Sequence, residues 1–371
     1  MLKKLTLKGF KSIKEMELEL RSLNILIGAN GAGKSNLVSF FKMLNEMMAG
    51  RLQEYIAVSG RSESLLYFGS KITLQIEAEL VFEPENGMNI YKMRLFHAAG
   101  DTLIFAEETL SFLEKRRTYP RVDSLGAGHQ ETLLSAEVDN RSQTARNIKY
   151  LLNRCRVYHF HDTSSTAGVR QSCYVGDNRW LMPDAGNLAA MLFRFRNKND
   201  GLTYRRIVET IRLIAPFFKE FVLEPDVSNR VILNWLDKSS DRVFGPHQLS
   251  DGTLRAICLI ALLLQPEDEF PKLIVVDEPE LGLHPYALNA IAGLFGKASY
   301  HTQFLISTQS SIFLDNFEPE DIIVVDRKRQ EPSARQESVF KRLDATELEA
   351  WLEEYSLGEI WEKNVIGGGP H

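Results

Sequence analysis

Gly28-Ala29-Asn30-Gly31-Ala32-Gly33-Lys34-Ser35 fits the pattern G-x-x-x-x-G-K-[ST] at every fixed position and directly follows the apolar run Leu23-Asn24-Ile25-Leu26-Ile27. A phosphate-cradling loop needs that context: a strand ending inside a sheet, a glycine-rich turn, and a helix whose free N–H groups face the anion. Gly28, Gly31 and Gly33 clear side chains from the loop, so the backbone amides along Asn30, Gly31, Ala32, Gly33, Lys34, Ser35 and Asn36 can wrap a β-phosphate. Lys34 reaches the β and γ oxygens, and the Ser35 hydroxyl is a ligand for Mg²⁺. These residues imply a nucleoside triphosphate with its magnesium.

A second cluster adds the catalytic groups. Pro271-Lys272-Leu273-Ile274-Val275-Val276-Asp277-Glu278-Pro279 holds an apolar run too short for a core helix, rich in β-branched residues, and closed by two carboxylates. It reads as a fully buried parallel strand with acids at its carboxyl end, where ligands bind in open α/β sheets. Asp277 is the expected holder of Mg²⁺. Glu278, one residue further, is the expected general base for the attacking water.

Leu249-Ser250-Asp251-Gly252-Thr253 opens a helical stretch just upstream of those acids. Alone, Ser-Asp-Gly is ordinary N-capping chemistry. Placed before a D-E-P-E strand, it resembles the LSGGQ signature of ABC-type ATPases, and Ser250, Asp251 and Gly252 become candidate contacts to a γ-phosphate. Glu280-Leu-Gly-Leu-His284-Pro285 resembles the D-loop of the SMC, RecF and OLD-like branch of that family. Gln303-Phe-Leu-Ile-Ser-Thr308-Gln309-Ser310 resembles its switch segment, which usually reads S-T-H-S, so Gln309 stands where histidine is common. Leu5-Thr-Leu-Lys-Gly-Phe10-Lys11-Ser12-Ile13 resembles the opening strand of such heads, placing Phe10 by the base or ribose and Lys11 and Ser12 toward the nucleotide. The stretch from Trp351 to Gly369 is similar to the tail of short bacterial ATPases of this branch.

The resemblance implies an α/β fold: a P-loop NTPase ABC-type head with a mixed β-sheet core and an inserted α+β lobe. Residues 1–52 and 243–330 are assigned to the ATPase core, 53–242 to the lobe, and 331–371 to a C-terminal strand and helices packed on the core. In the lobe, Ile72–Leu80, Asn89–Leu95 and Thr102–Phe112 alternate as antiparallel strands do, whereas Thr144–Cys155, Gly186–Asn197 and Leu202–Phe218 look helical. No segment sustains the heptads of a coiled coil. No glutamine equivalent to the ABC Q-loop is identifiable.

The resemblance also implies a homodimer, because a signature helix cannot reach its own P-loop. Two copies, with a higher oligomer left open, would share two ATP, and Glu278, Lys34 and Gln309 are the expected catalytic residues at each site. Members of the branch resemble components of anti-phage defence or DNA repair, and a head with no TOPRIM domain suggests a separate nuclease or TOPRIM-like effector. A repair or recombination ATPase acting alone is the rival reading, and a transport ATPase subunit a weaker one.

Composition bounds these readings. The chain has 371 residues, of which 44% are hydrophobic and 25% charged, sufficient for one large or two ordinary domains. The first residues lack the apolar stretch of a signal peptide and no run approaches the roughly eighteen apolar residues of a membrane span, so a cytoplasmic protein without a membrane partner is expected. Cys155, Cys173 and Cys258 are far apart and suggest neither a disulfide framework nor a zinc site. A net charge of −5 argues against a general polyanion binder. DNA contact rests on two local basic clusters, Lys115-Arg116-Arg117 with Arg121, and Arg194, Arg196 and Lys198 with Arg205-Arg206. Tyr158-His159-Phe160-His161-Asp162 puts two histidines on one face of an expected strand, though too few ligands are nameable for a metal site.

Overall fold

The computed structural model describes residues 1–84, 86–115, 117–135, 142–328 and 335–369. The basic residue Arg116 of the first cluster lies outside the described residues. The chain opens with β1 (Leu2–Phe10), β2 (Ile13–Glu19), β3 (Ile25–Ile27) and α1 (Lys34–Met48), followed by α2 (Leu52–Val58) and α3 (Arg61–Leu65). Next come β4 (Gln75–Phe82), β5 (Gly87–Ala98), β6 (Thr102–Glu114), β7 (Arg121–Gly126), α4 (Gln143–Asn153), β8 (Cys155–Tyr158) and β9 (Cys173–Tyr174). They are succeeded by α5 (Leu188–Asn197), α6 (Leu202–Ile214), β10 (Phe218–Val222), β11 (Arg230–Val231), β12 (Asn234–Asp237) and β13 (Val243–Phe244). The chain continues through α7 (Asp251–Leu263), β14 (Leu273–Asp277), α8 (Pro285–Ala298), β15 (Gln303–Thr308) and α9 (Ser311–Leu314). Its last elements are β16 (Ile322–Lys328), β17 (Glu337–Arg342), α10 (Ala345–Leu352) and α11 (Leu357–Glu362).

Two six-stranded sheets carry the architecture. One has the order β2-β1-β4-β5-β6-β7 and is antiparallel throughout; the other has the order β17-β16-β3-β15-β14-β8 and is parallel except for β17. Period-2 alternation decides what each face of the parallel sheet meets. Ile25, Ile27, Ile274, Val276, Phe304 and Ile306 pack into the core shared with α5, α7 and α8. Leu26, Leu273, Val275, Leu305, Ile323 and Val325 pack the other way, into the core shared with α1 and the antiparallel sheet. α1 lies between the sheets, and its Phe40, Phe41, Met43 and Met47 are fully buried. Fully burying side chains of this kind contributes roughly 1.5–3 kcal/mol each.

The stretch 53–242 is woven into both layers. β4–β7 extend the sheet begun by β1 and β2, with β4 paired to β1 from Leu2↔Phe82 to Lys8↔Glu77, and β8 forms the outer edge of the parallel sheet beside β14. No helix among the described residues is long and apolar enough to cross a membrane. All three cysteines are free and buried.

Candidate functional site

β3 is central in the parallel sheet, so its carboxyl end delivers the loop at Gly28 to the crevice where β15 and β14 also end. The loop approaches β16 so closely that a Cβ at Gly28 would lie 2.2 Å from the Val325 carbonyl oxygen. Gly33 caps α1 at φ 123° with no capping side chain, and a Cβ there would meet the Ser338 hydroxyl at 2.1 Å. Only glycine satisfies both the conformation and the space. The uncapped first turn of α1 leaves free the N–H groups that the pattern would turn toward an anion. Asn30 and Gly31 are exposed at the tip of the loop, Ser35 is exposed on the first turn of α1, and Ala32 is buried.

Lys34 is buried and donates to the Gly28 carbonyl at 2.5 Å and to the Ala29 carbonyl at 3.2 Å. Burial lowers its pKa, and the charges of Glu278, Asp277 and Glu280 oppose that shift. A γ-phosphate offers this ammonium a charged partner in place of two neutral carbonyls.

The acids sit where the sequence puts them. Asp277 ends β14 opposite Ser307 of β15. Its Oδ1 is buried with no hydrogen-bond partner, as are Glu280 Oε2 and Ser307 Oγ. Buried polar atoms are nearly always satisfied, so three orphans beside a phosphate loop fit a site completed by a cation and its waters. Ser35 and Asp277 are the residues that would hold magnesium, with hard oxygen donors suited to it.

Glu278 follows in the left-handed region at φ 45°, its N–H donating to the Ser307 carbonyl at 2.7 Å. That conformation turns its carboxylate toward Gln309, whose amide Nε2 donates to Glu278 Oε1 at 2.6 Å. The Gln309 backbone N–H donates to Glu280 Oε1 at 2.7 Å. Burial raises the Glu280 pKa.

At the signature, Ser250 caps α7 by accepting the Thr253 N–H at 3.2 Å and is exposed. Gly252 is pressed against the D-loop, where a Cβ would lie 2.1 Å from the Gly282 carbonyl oxygen. Asp251 pairs at 2.7 Å with the buried Arg170, which also binds the Thr163 and Leu249 carbonyls. Arg255, on the same helix, ties the Phe160, His161 and Leu281 carbonyls together. Signature, D-loop and the segment that follows β8 are thus one hydrogen-bonded unit.

The N-terminal turn departs from expectation. Phe10 is fully buried edge-on to Phe40, and so belongs to the core and offers nothing to a base or ribose. Lys11 donates to Ser39 at 2.7 Å on α1, and burial lowers its pKa. Ser12 is buried within 2.6 Å of the Ser338 hydroxyl and accepts from the Asn36 amide at 2.6 Å. Ser338 also donates to the Ala32 carbonyl at 2.5 Å. The turn braces the phosphate loop from behind.

β8 ends at Tyr158, so His159 and His161 lie beyond the strand, and no metal-binding group of His, Cys, Asp and Glu exists among the described residues. His161 Nε2 instead lies 2.9 Å from the Asp277 carbonyl oxygen, at the carboxyl end of the strand next to β14. Of the basic clusters, Arg194 and Lys198 are both engaged by Glu269, at 2.5 and 3.2 Å. Sequence reasoning misses Arg170, Arg255 and Ser338 as parts of this site. Each acts across a long chain separation, and none stands in a local pattern.

Residues 23–315 match the family model described as "AAA domain, putative AbiEii toxin, Type IV TA system". The SmcHead bound to the C-winged helix domain of ScpA is similar in fold, with a TM-score of 0.60 at 16% identity over 93% of this chain and 99% of that one. So is the Smc head domain with an extended coiled coil bound to the C-terminal domain of ScpA derived from Pyrococcus furiosus, with a TM-score of 0.60 at 15% identity over 95% and 98%. No curated protein matches the sequence. A glycine loop on a central strand, paired acids on its neighbour's neighbour and the fold of an SMC head stand beside that family match, and the chain belongs to the AbiEii-type AAA-domain family.

Proposed function

We propose that this chain binds ATP with magnesium between the Gly28 loop and Asp277, hydrolyses it slowly, and dimerises on it to control a separate effector protein in a DNA-directed process, in bacterial anti-phage defence. The observation that carries this reading is the bond between Gln309 and Glu278 at the mouth of the crevice. It leaves the second oxygen of Glu278 free to accept a proton from a water aimed at the γ-phosphate. Magnesium, when bound, neutralises charge on the β and γ oxygens. Lys34 exchanges its carbonyl partners for phosphate, and Gln309 orients the base without titrating, since an amide cannot change protonation state.

The exposed Ser250 and the N-terminus of α7 supply the second half. A γ-phosphate held by one copy draws the signature helix of another, and loss of the phosphate removes that attraction. ATP thereby biases a clamp between closed and open states. The SMC heads of like fold are bound to ScpA domains, which favours a partner protein as what the clamp controls.

Mixing variants tests the shared site. Lys34→Ala and Ser250→Arg should each be inactive alone, and an equimolar mixture should recover about a quarter of wild-type phosphate release, because half of the dimers are mixed and each mixed dimer holds one intact site. An inactive mixture, or full turnover by a strictly monomeric protein, would refute the reading.

A further inference from the structure

A cavity of about 490 Å³ opens at the outer edge of the parallel sheet, between the end of α4, strand β8 and the loop leading to α5. It shares no lining residue with the phosphate loop, the acids or the signature. Its polar walls are Arg154, Arg156 and Arg179; its aromatic walls are Tyr150 and Trp180, which are 50% and 51% exposed.

The arginines are arranged on the rings. Arg156 and Arg179 lie 5.6 and 5.1 Å from the centroid of Trp180, and Arg154 lies 5.6 Å from that of Tyr150. Arg156 and Arg179 have no carboxylate partner among the described residues. Arg154 is fixed by the Phe270 carbonyl, yet its Nε is buried and unpartnered. Of the two acids on the wall, Glu269 is already paired with Arg194 and Lys198, which leaves Asp268 against three guanidinium charges.

The cavity is also held open. Buried Asn187 accepts the Met182 N–H at 2.8 Å and donates to the Asp177 and Trp180 carbonyls at 2.7 and 2.8 Å, pinning the loop that presents Arg179 and Trp180.

We propose that this cavity is a second binding site, for a nucleobase and its adjoining phosphate, supplied by single-stranded nucleic acid. Half-exposed rings flanked by unpaired guanidinium groups match what such a ligand presents, a π-face next to a negative charge. The site is independent of the ATP reading, since neither site uses a residue of the other.

The test is fluorescence anisotropy of a labelled oligothymidylate of about twenty nucleotides, with binding of a fluorescent ATP analogue measured in parallel. Trp180→Ala should weaken the oligonucleotide at least about tenfold. Arg156→Glu with Arg179→Glu should weaken it further and flatten its salt dependence by about 0.7 for each phosphate that the protein no longer neutralises. ATP binding should stay at the wild-type level in each, which also reports correct folding, and Lys34→Ala should leave the oligonucleotide unaffected. Thymidine monophosphate competing as well as the oligonucleotide would assign the same pocket to a free nucleotide and overturn the choice of a nucleic-acid strand. Wild-type affinity in both variants, no binding by the wild type, or equal competition by inorganic phosphate or polyglutamate would overturn the proposal as a whole.

Discussion

The side-chain amide of Gln309 donates to the carboxylate of Glu278 at 2.6 Å, while the backbone N–H of the same residue donates to Glu280 at 2.7 Å. One residue just past β15 thus positions two acids that follow the adjacent strand β14. Glu278 sits at a positive φ, a conformation costly for a non-glycine residue, and its hydrogen bonds to β15 offset that cost.

Replacing the base separates binding from chemistry. Glu278→Gln preserves shape and hydrogen bonding but cannot take a proton. Phosphate release should fall at least about 100-fold, ATP should still bind, and the protein should accumulate as a dimer. Colorimetric phosphate release and light scattering with and without ATP check this.

Gln309→His should raise turnover, because imidazole can hydrogen-bond the γ-phosphate and adjust its protonation near neutral pH. Steady-state kinetics of the variant decide the point. An unchanged or lower kcat would remove the argument that the amide makes hydrolysis slow.

Gly252→Ala should uncouple dimerisation from nucleotide binding. Its Cβ would stand 2.1 Å from the Gly282 carbonyl oxygen, and overpacking of this kind costs about 1–3 kcal/mol. The first turn of α7 and the D-loop must part, so the ATP-dependent dimer should be lost while the monomer keeps its ATP affinity by calorimetry.

Ser338→Ala should weaken ATP binding from behind the loop. It removes the bonds to the Ala32 carbonyl and to Ser12, with about 1 kcal/mol of stability lost for each. Thermal melting with and without ATP should show a lower baseline and a smaller ligand-induced rise.

Thiol chemistry reports burial. Desolvation pushes Cys155 and Cys258 up to about 12 and raises Cys173. A thiol reacts as thiolate, the form present above its pKa. At about pH 8, below these raised values, the native protein should therefore label slowly with an aromatic disulfide reagent. All three thiols should react once denaturant is added.

The parts of the site legible in the sequence are those whose chemistry is local: the glycines and lysine before α1, the two acids closing β14, and the hydroxyl and glycine opening α7. Each is set by a few adjacent residues. Alternation in residues 72–112 likewise marks half-buried strands. It carries no information on pairing, so the union of β4 with β1 is visible only in three dimensions. Phe10 shows the same limit, because an aromatic residue beside a lysine reads alike whether it covers a base or packs on Phe40. His159 and His161 fall outside the strand because β8 stops at Tyr158, and strand ends are weakly encoded by residue type. The braces at Ser338 and Arg170 span 326 and 81 positions, a distance that no motif covers.

The phosphate loop near residue 28 is backed by Ser338 and by Gly368, whose Cβ, if present, would lie 3.5 Å from the Gly28 Cα. A ribosome therefore makes the loop early and its supports last. Until then the growing polypeptide carries an unfinished crevice beside a β-branched sheet, a state prone to aggregation. The backing of the loop is complete only once synthesis has passed the glycine-rich tail, so a prematurely terminated product carries a phosphate loop without its Gly368 support.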